Sequence, residues 1–334
     1  MNTIFIFLAG LLFICFYSCS NAIMLKHQGH AQGTTYSISY IEKDGRSYHR
    51  EIDSLFQLID KSMSLYDSNS IISRVNRNDT SVRVDVYFEY VFNQAKEISE
   101  KTNGAFDVTI GSLPDGGNFK KMNGGIDADS FVKKYVNYQN VRIEDQKVIK
   151  KYAETKLNFN AIAQGYTVDV IADLLEKKGV NNYLIEIGGE IKVKGKKTNN
   201  APWEIGIEKP TYNQNQQILQ VIFPLTNKAI STSGVYRNYY EKNNVKYSHI
   251  IDPKNGNSVK NELLSASVFA DDCLTADAYA TAFMVLGLKE SLSILEKNTT
   301  IDALFIYNSD GKETACATKR AYQFINNKNI YLCE

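Results

Sequence analysis

A strand, a turn and a helix are encoded by KYSHIIDPKNG at residues 246–256 and ADAYATA at residues 276–282. The first segment alternates apolar and polar residues and then enters a Pro-Lys-Asn-Gly turn. In the second segment Asp277 and Thr281 are four residues apart, so their side chains lie on one face of a helix, one turn from each other. A carboxylate and a hydroxyl are hard oxygen donors that suit Mg²⁺. The pair therefore predicts a metal-assisted site for a ligand that carries phosphate.

The rest of the chain mixes strands and helices in the same way. The predicted strands lie at 33–40, 141–143, 148–149, 183–187, 203–207, 218–223, 244–251 and 303–307. The predicted helices lie at 52–63, 91–98 and 168–175 and around Asp277 and Leu292. Glu42 to Gly45 is expected to form a hairpin turn, and residues 111–125 a loop. Strands joined by hairpins with interspersed helices predict an α+β fold with mixed or antiparallel sheets, and not a doubly wound sheet.

Composition excludes some classes of protein. The 334 residues carry 38 Lys and Arg against 37 Asp and Glu, and no basic stripe is visible, which argues against nucleic acid as the main partner. Tyr and Phe are abundant, at 21 and 16, and only 5 Pro are present. The chain is therefore expected to be globular and long enough to bury a substantial core.

The N-terminus has the features of an export signal. Ile4 to Phe16 is nearly all apolar but shorter than the roughly 20 residues that a spanning helix needs. It is followed by YSCS at residues 17–20, which looks like a bacterial lipobox with Cys19 as the lipidated residue, although no Lys or Arg precedes the apolar run. We expect residues 1–19 to be a signal peptide and the protein to be a lipoprotein anchored to the inner or outer membrane and facing the periplasm. An ordinary cleaved export signal is the alternative.

Cysteine usage gives no sign of a metal or redox site. Beyond the N-terminal segment the cysteines are Cys273, Cys316 and Cys333, with no CxxC motif. A disulfide between Cys316 and Cys333 is conceivable in an exported protein, and the sequence leaves its existence open.

Several segments, taken in order, carry a family resemblance. They are GHAQGTT (29–35), MSLYDS (63–68), ISRVN (72–76), GAFDVT (104–109), NFNAIAQGY (158–166), EIGGE (186–190), STSG (231–234), YSHIIDP (247–253) and ADAYAT (276–281). This ordered set resembles the ApbE family, the FAD:protein FMN transferases, over nearly all of the chain after Cys19. The resemblance implies an α+β, T-fold-like architecture for a single domain at residues 20–334.

The resemblance also implies an activity. Such enzymes use Mg²⁺ to split the pyrophosphate of FAD, place FMN on a Ser or Thr hydroxyl of a target protein and release AMP. The targets are typically subunits of membrane redox pumps. Some members instead hydrolyse FAD to FMN and AMP, so a periplasmic FAD pyrophosphatase is one alternative, and a flavin-binding lipoprotein without turnover is another.

Positions carried over from the resemblance define the expected site. Asp277 and Thr281 would supply metal-ligand side chains, and Ala161 its backbone carbonyl. The residues that fall where the family contacts FAD are Gln32, Tyr66, Ala105, Phe106, Asp107, Asn158, Gln164 and Ile251. Tyr66 and Phe106 could border the flavin or adenine ring, with the core of the protein as their alternative location. Asp107 could accept hydrogen bonds from ring N–H groups or ribose hydroxyls.

Other residues keep two interpretations. His249 would take the proton from the acceptor hydroxyl or position the phosphates, or it would be structural. Gly188 and Gly189 could approach a phosphate or form a tight backbone crossing. The segment Ser112 to Asn118 departs from the family pattern, Asn158 and Gln164 replace residues more frequent there, and Ala280 stands where some members have a second helix carboxylate. The last difference predicts a sparser metal shell.

Overall fold

One large sheet organises the described part of the chain. The computed structural model describes residues 22–114, 128–210, 219–235, 239–242, 245–248, 250–325 and 327–333. The strands are β1 (Ile23–Ala31), β2 (Thr34–Glu42), β3 (Val141–Glu144), β4 (Lys147–Lys150), β5 (Tyr183–Ile187), β6 (Glu190–Lys194), β7 (Trp203–Glu208), β8 (Leu219–Leu225), β9 (Lys228–Gly234), β10 (Tyr239–Lys242), β11 (Val245–Ser248), β12 (Leu263–Ala270), β13 (Asp302–Ser309), β14 (Lys312–Ala317) and β15 (Tyr331–Leu332). Within these residues, nine strands form a sheet in the order β1-β2-β5-β6-β9-β12-β13-β14-β15.

The sheet is almost entirely antiparallel. Among the described strands only β14 and β15 pair in parallel, while β3–β4, β7–β8 and β10–β11 form separate two-stranded hairpins. The helices are α1 (His49–Met63), α2 (Ile71–Asn76), α3 (Val86–Lys101), α4 (Ala128–Tyr135), α5 (Ala163–Lys177), α6 (Cys273–Leu286), α7 (Leu288–Lys297) and α8 (Lys319–Ile325). The predicted α+β class with antiparallel pairing and packed helices is confirmed. None of the helices in the described ranges is both long and apolar enough to cross a lipid bilayer.

Helix α6 lies at the centre of the core. It packs against β9, β12, α5 and α3, and because neighbours surround it, apolar side chains occupy nearly its whole circumference. The Asp272 carboxylate caps its first turn by accepting a hydrogen bond of 2.8 Å from the Thr275 N–H. The helix ends at Gly287, whose φ of 80° few other residues adopt. Asp277 therefore lies on an element fixed from several sides.

The hairpin of β5 and β6 places a second acidic residue near α6. Ile187 pairs with Glu190 across a two-residue turn, and the turn residues Gly188 and Gly189 have φ values of 68° and 112°. Positive φ at both positions is what a tight turn between twisted strands requires, which accounts for the glycine pair. Glu190 is thereby fixed as the first residue of β6.

Two local predictions are wrong. The turn at Glu42 to Gly45 does not join two strands, because β2 already pairs with β1 and β5 and the chain continues into α1. The Glu42 carboxylate instead accepts hydrogen bonds from the Asp44 and Arg46 N–H groups, at 2.6 and 2.9 Å. The strand expected at 244–251 is shorter, since β11 ends at Ser248 and Ile251 forms only an isolated bridge with Ser258.

A disulfide joins Cys316 to Cys333, with their Cα atoms 5.0 Å apart. It links the end of β14 to the residue that follows β15, the last described strand. Cys273, at the start of α6, is a buried free thiol.

Candidate functional site

A cleft of about 1070 Å³ collects most of the residues expected at the site. Its lining includes Tyr66, Ala105, Phe106, Asp107, Asn158, Ala161, Gln164, Ile251, Asp277 and Thr281. A cleft of about 1070 Å³ is slightly larger than the range of about 300–1,000 Å³ that is typical of pockets for drug-sized ligands. Among the expected residues within the described ranges, Gln32 alone is outside the lining, and it contacts the cleft through Gln164. His249 and Cys19 lie outside the described residues.

Asp277 is held at the base of the cleft by the close approach of α5 and α6. Its side chain is buried at 5 % exposure, and its Oδ2 accepts a hydrogen bond of 3.1 Å from the Gly165 N–H. A Cβ atom on Gly165 would lie 2.5 Å from the Cys273 carbonyl oxygen and 2.8 Å from the Asp277 Cβ. Only glycine therefore allows the two helices to approach closely enough for this hydrogen bond.

The surroundings of Asp277 favour a cation. Burial raises the pKa of its carboxyl well above the ordinary value, and the nearby Glu190 carboxylate raises it further. Hydrogen bonds from the Gly165 N–H and the Ser231 hydroxyl act in the opposite direction on this pKa. A buried carboxylate next to another acidic group is difficult to ionise unless a positive charge lies beside it.

Two hydroxyl groups of β9 lie near the acidic residues, Ser233 in the cleft lining and Ser231 fully buried behind it. The Ser233 and Thr281 hydroxyl oxygens are 3.2 Å apart, and the Ser231 hydroxyl donates to Glu190 Oε1 at 3.3 Å. The sequence interpretation included neither Ser231 nor Ser233 among the site residues. Their spacing of two residues, which places both on one face of a strand, was the available signal.

The donor set fits Mg²⁺. Asp277, Glu190, Thr281 and Ser233 line the cleft and offer oxygen atoms, and Mg²⁺ prefers oxygen ligands and keeps several waters. Within the described ranges, no group of three or more His, Cys, Asp or Glu residues is arranged to hold a metal ion. A cation bound here would therefore depend on hydroxyl or backbone oxygens as well. Ala161, in the turn before α5, lines the same cleft.

The two expected stacking residues have different environments. Tyr66 is 90 % exposed at the edge of the cleft, so a core location is wrong for this residue and its ring is open to a planar ligand. Phe106 is only 3 % exposed and packs in the main hydrophobic core. Only a small part of Phe106 is therefore exposed to the cleft.

The Asp107 carboxylate accepts hydrogen bonds from other residues of the protein. Its Oδ1 accepts hydrogen bonds from the Thr109 N–H and hydroxyl at 2.8 and 2.6 Å, and its Oδ2 accepts one of 2.8 Å from the Tyr138 N–H. Burial raises the pKa of this carboxyl, while the bonds from Thr109 and Tyr138 lower it. The carboxylate thus orders the wall of the cleft around residues 107–112.

Polar contacts also order other residues of the cleft lining. Gln164 Nε2 donates to the Gln32 carbonyl at 3.3 Å, and Gln32 Nε2 donates to the Thr167 hydroxyl at 2.9 Å. The Asn158 side-chain oxygen accepts the Asn160 N–H at 2.8 Å. Gln32 therefore supports Gln164, which itself lines the cleft.

The segment after β11 forms one edge of the cleft. Ile250, Ile251 and Pro253 are in its lining. The Asp252 carboxylate accepts hydrogen bonds from the Lys254 N–H at 2.9 Å and from the Asn255 side chain at 2.6 Å. Asp252 therefore forms the turn that the Pro-Lys-Asn-Gly sequence predicts.

Family membership follows from comparison of the whole chain. The model of the ApbE family matches residues 32–305, a range that contains every expected cleft residue. This chain belongs to the ApbE family.

Relatives of this ApbE-family chain match it over most of their length. A Vibrio cholerae serotype O1 protein named FAD:protein FMN transferase is 35 % identical over 306 residues, which are 88 % of this chain and 91 % of that protein. A Haemophilus influenzae protein of the same name is 32 % identical over 301 residues, covering 85 % and 86 % of the two chains.

Solved structures agree with the fold of this ApbE-family chain. The flavin transferase ApbE of Vibrio cholerae has a TM-score of 0.78 at 33 % identity, and the match covers 91 % of this chain and 99 % of that one. The apo form of the Pseudomonas stutzeri flavinyl transferase ApbE has a TM-score of 0.79 at 29 % identity, covering 92 % and 98 %.

Proposed function

We propose that this protein transfers FMN from FAD to a Ser or Thr hydroxyl of a target protein, with Mg²⁺ as cofactor and AMP as the second product. The observation that carries the proposal is the cleft of this ApbE-family chain, which has an oxygen-donor site around Asp277 at its base and the exposed Tyr66 ring at its edge. One end suits a metal-bound pyrophosphate and the other suits a planar ring.

The residues of the cleft have distinct tasks in this proposal. Asp277 and Thr281 side chains and the Ala161 carbonyl would hold Mg²⁺, with Ser233 next to the Thr281 hydroxyl. The metal would neutralise the pyrophosphate and stabilise charge on the departing phosphate. Tyr66 would stack on a ring of FAD and fix the position of its phosphates relative to Asp277.

The transfer forms one bond and breaks another. The acceptor hydroxyl oxygen attacks the phosphorus on the FMN side, the bridging P–O bond of the pyrophosphate breaks, and AMP leaves with the bridging oxygen. His249, which directly precedes Ile250 and Ile251 in the sequence, would accept the proton of the acceptor hydroxyl. The acceptor residue must lie on an exposed segment of its protein, because the cleft also has to accommodate FAD.

Partner and location complete the proposal. The target would be a subunit of a membrane redox pump, and Cys19 would carry the lipid that holds the enzyme at the membrane on its periplasmic side. The inner membrane is favoured because such a target would be located there. Membrane fractionation with lipid labelling of Cys19→Ser tests the anchor, and unchanged labelling of this variant would contradict it.

One incubation tests the reaction. The protein is mixed with FAD, Mg²⁺ and a redox-pump subunit that carries an exposed acceptor Thr, and the products are separated by denaturing electrophoresis and chromatography. Flavin fluorescence on the target together with AMP supports the transferase. Free FMN and AMP without labelled target would make the protein an FAD pyrophosphatase, and binding of FAD without either product would make it a flavin-binding protein.

The role of His249 needs a separate measurement. His249→Ala should lower the rate of transfer about 10²–10⁴-fold with little change in the dissociation constant for FAD. A weaker affinity with an undiminished rate at saturating FAD would identify His249 as a phosphate ligand instead.

A further inference from the structure

Glu190 lies beside Asp277 although it belongs to a different part of the fold. It is the first residue of β6, it is only 7 % exposed, and it lines the same cleft. A Cβ atom on Gly188 would lie 3.1 Å from Glu190 Oε2, so the glycine turn makes room for this carboxylate. The turn thus holds Glu190 against the base of the cleft.

A single hydroxyl connects the two acidic residues. The Ser231 hydroxyl donates to Glu190 Oε1 at 3.3 Å and is also within hydrogen-bonding reach of the Asp277 carboxylate. One hydroxyl proton serves one carboxylate at a time. Ser231 therefore contacts Glu190 directly and connects it to the surroundings of Asp277.

A lysine on the same strand as Glu190 forms an ion pair with a different carboxylate. Lys192, two residues after Glu190 on β6, forms an ion pair of 2.7 Å with Asp169. Helix α6 itself carries Asp277 as its single charged residue between Cys273 and Leu286. A second negative charge for a divalent cation at this end of the cleft must then come from another element, and β6 provides it.

We propose that Glu190 is a positioning residue of the cation site, which supplies its second carboxylate and orients Asp277 through Ser231. This inference rests on the Mg²⁺ site of the proposed function. In this arrangement Glu190 acts on the cation through bound water and through Asp277, and it has no part in binding the rings of FAD.

The test compares Glu190→Gln with wild type and with Glu204→Gln. Glu204 is an exposed residue of β7 whose side chain pairs only with Lys197 among the ion pairs of the described residues, so it is a matched control for the loss of one carboxylate. Affinity is measured by calorimetry with Mg²⁺ and by electron paramagnetic resonance with Mn²⁺, both without FAD. Loss of a residue that orients a metal ligand typically weakens metal binding about 10–100-fold. We expect this loss for Glu190→Gln and wild-type affinity for Glu204→Gln.

Thermal unfolding in EDTA separates this role from a structural one. Glu190→Gln keeps the shape of the side chain and removes an acidic group that is buried next to Asp277, so its melting temperature in EDTA should equal or exceed that of wild type. A structural role predicts the reverse, namely a lower melting temperature in EDTA with unchanged metal affinity, and that result would overturn the inference.

Two further variants distinguish a failure of the role of Glu190 from a failure of the Mg²⁺ site itself. Ser231→Ala removes the link between the carboxylates and should weaken metal binding in the same direction; wild-type affinity in this variant contradicts the inference even if Glu190→Gln does not fold. Asp277→Asn tests the proposed function itself. If wild type and Asp277→Asn bind the metal equally, the whole Mg²⁺ site is refuted, whereas loss in Asp277→Asn with full binding in Glu190→Gln refutes only the role of Glu190.

Discussion

Replacing Gly165 with Ala should damage both the stability and the metal site, because the new methyl group enters the contact between α5 and α6. Its Cβ would lie 2.5 Å from the Cys273 carbonyl oxygen, where ordinary contact begins at 3.4 Å. The helices would have to separate locally by the difference of the two distances, 3.4 − 2.5, or about 0.9 Å. The Cys273 backbone and the Asp277 Cβ, at 2.8 Å, both belong to α6, so rotation of a flexible side chain cannot relieve the contact.

Two effects determine how much stability Gly165→Ala loses. Overpacking of this kind costs about 1–3 kcal/mol, and weakening the Gly165 N–H bond to the Asp277 carboxylate costs up to about 2 kcal/mol more. For a chain of this length roughly 1.5 °C of melting temperature corresponds to 1 kcal/mol. We expect a decrease of roughly 2–8 °C. Displacement of Asp277 by nearly 1 Å should also weaken Mg²⁺ binding about 10–100-fold.

Differential scanning fluorimetry and calorimetric titration with Mg²⁺ measure the two effects. Gly179→Ala is the control, because Gly179 ends the same helix with a φ of 84° and a Cβ atom added to it would meet nothing within 4 Å. Its strained backbone should destabilise the protein by about 1–2 kcal/mol while metal affinity stays at the wild-type value. Wild-type stability and metal affinity in Gly165→Ala would show that the helix contact does not determine the position of Asp277.

Three further outcomes are expected. Tyr66→Ala should weaken FAD binding by about 1–3 kcal/mol in a fluorescence titration and leave the melting temperature unchanged, since the ring is 90 % exposed; a decreased melting temperature with unchanged affinity would assign the ring a packing role. Replacing both Cys316 and Cys333 with Ala should destabilise the protein by roughly 3 kcal/mol in urea denaturation, because the disulfide spans 17 residues, and wild-type stability would show that the disulfide contributes little. The pKa of Asp277 is raised in the folded protein, so in EDTA its contribution to stability should be lost as pH rises from about 4 through the folded pKa. The stability of Asp277→Asn relative to wild type should therefore increase with pH, and a difference that does not vary with pH would contradict the raised pKa.

Local spacing explains which site residues the sequence could predict. Asp277 and Thr281 are one helical turn apart, so a helix pattern alone was enough to bring them together. Glu190 and Ser231 are 41 residues apart and meet only because β6 and β9 are neighbours in the sheet. No local pattern specifies which strands become neighbours, and the polar sequence of β9 gave no strand prediction at all.

The ends and partners of strands were unpredictable for a related reason. Turn residues at Glu42 to Gly45 correctly marked a change of direction, but turn chemistry does not say whether a strand or a helix follows. The strand β1 went unrecognised because, as an edge strand, it is partly exposed along its length and has no fully buried position. Its identity depends on pairing with β2, which is a property of the folded chain.

The difference between Tyr66 and Asp107 shows how the fold divides the cleft. Both residues were expected to contact FAD, yet one is an exposed ring with no packing role in the core and the other is a buried carboxylate that accepts three hydrogen bonds from the chain. Removal of Asp107 should therefore disturb folding, as removal of Gly165 should, whereas removal of Tyr66 should not. Because the base of the cleft is built from core elements and its edge from an exposed loop, substitutions at the base couple metal binding to stability. Substitutions at the edge can alter flavin affinity alone.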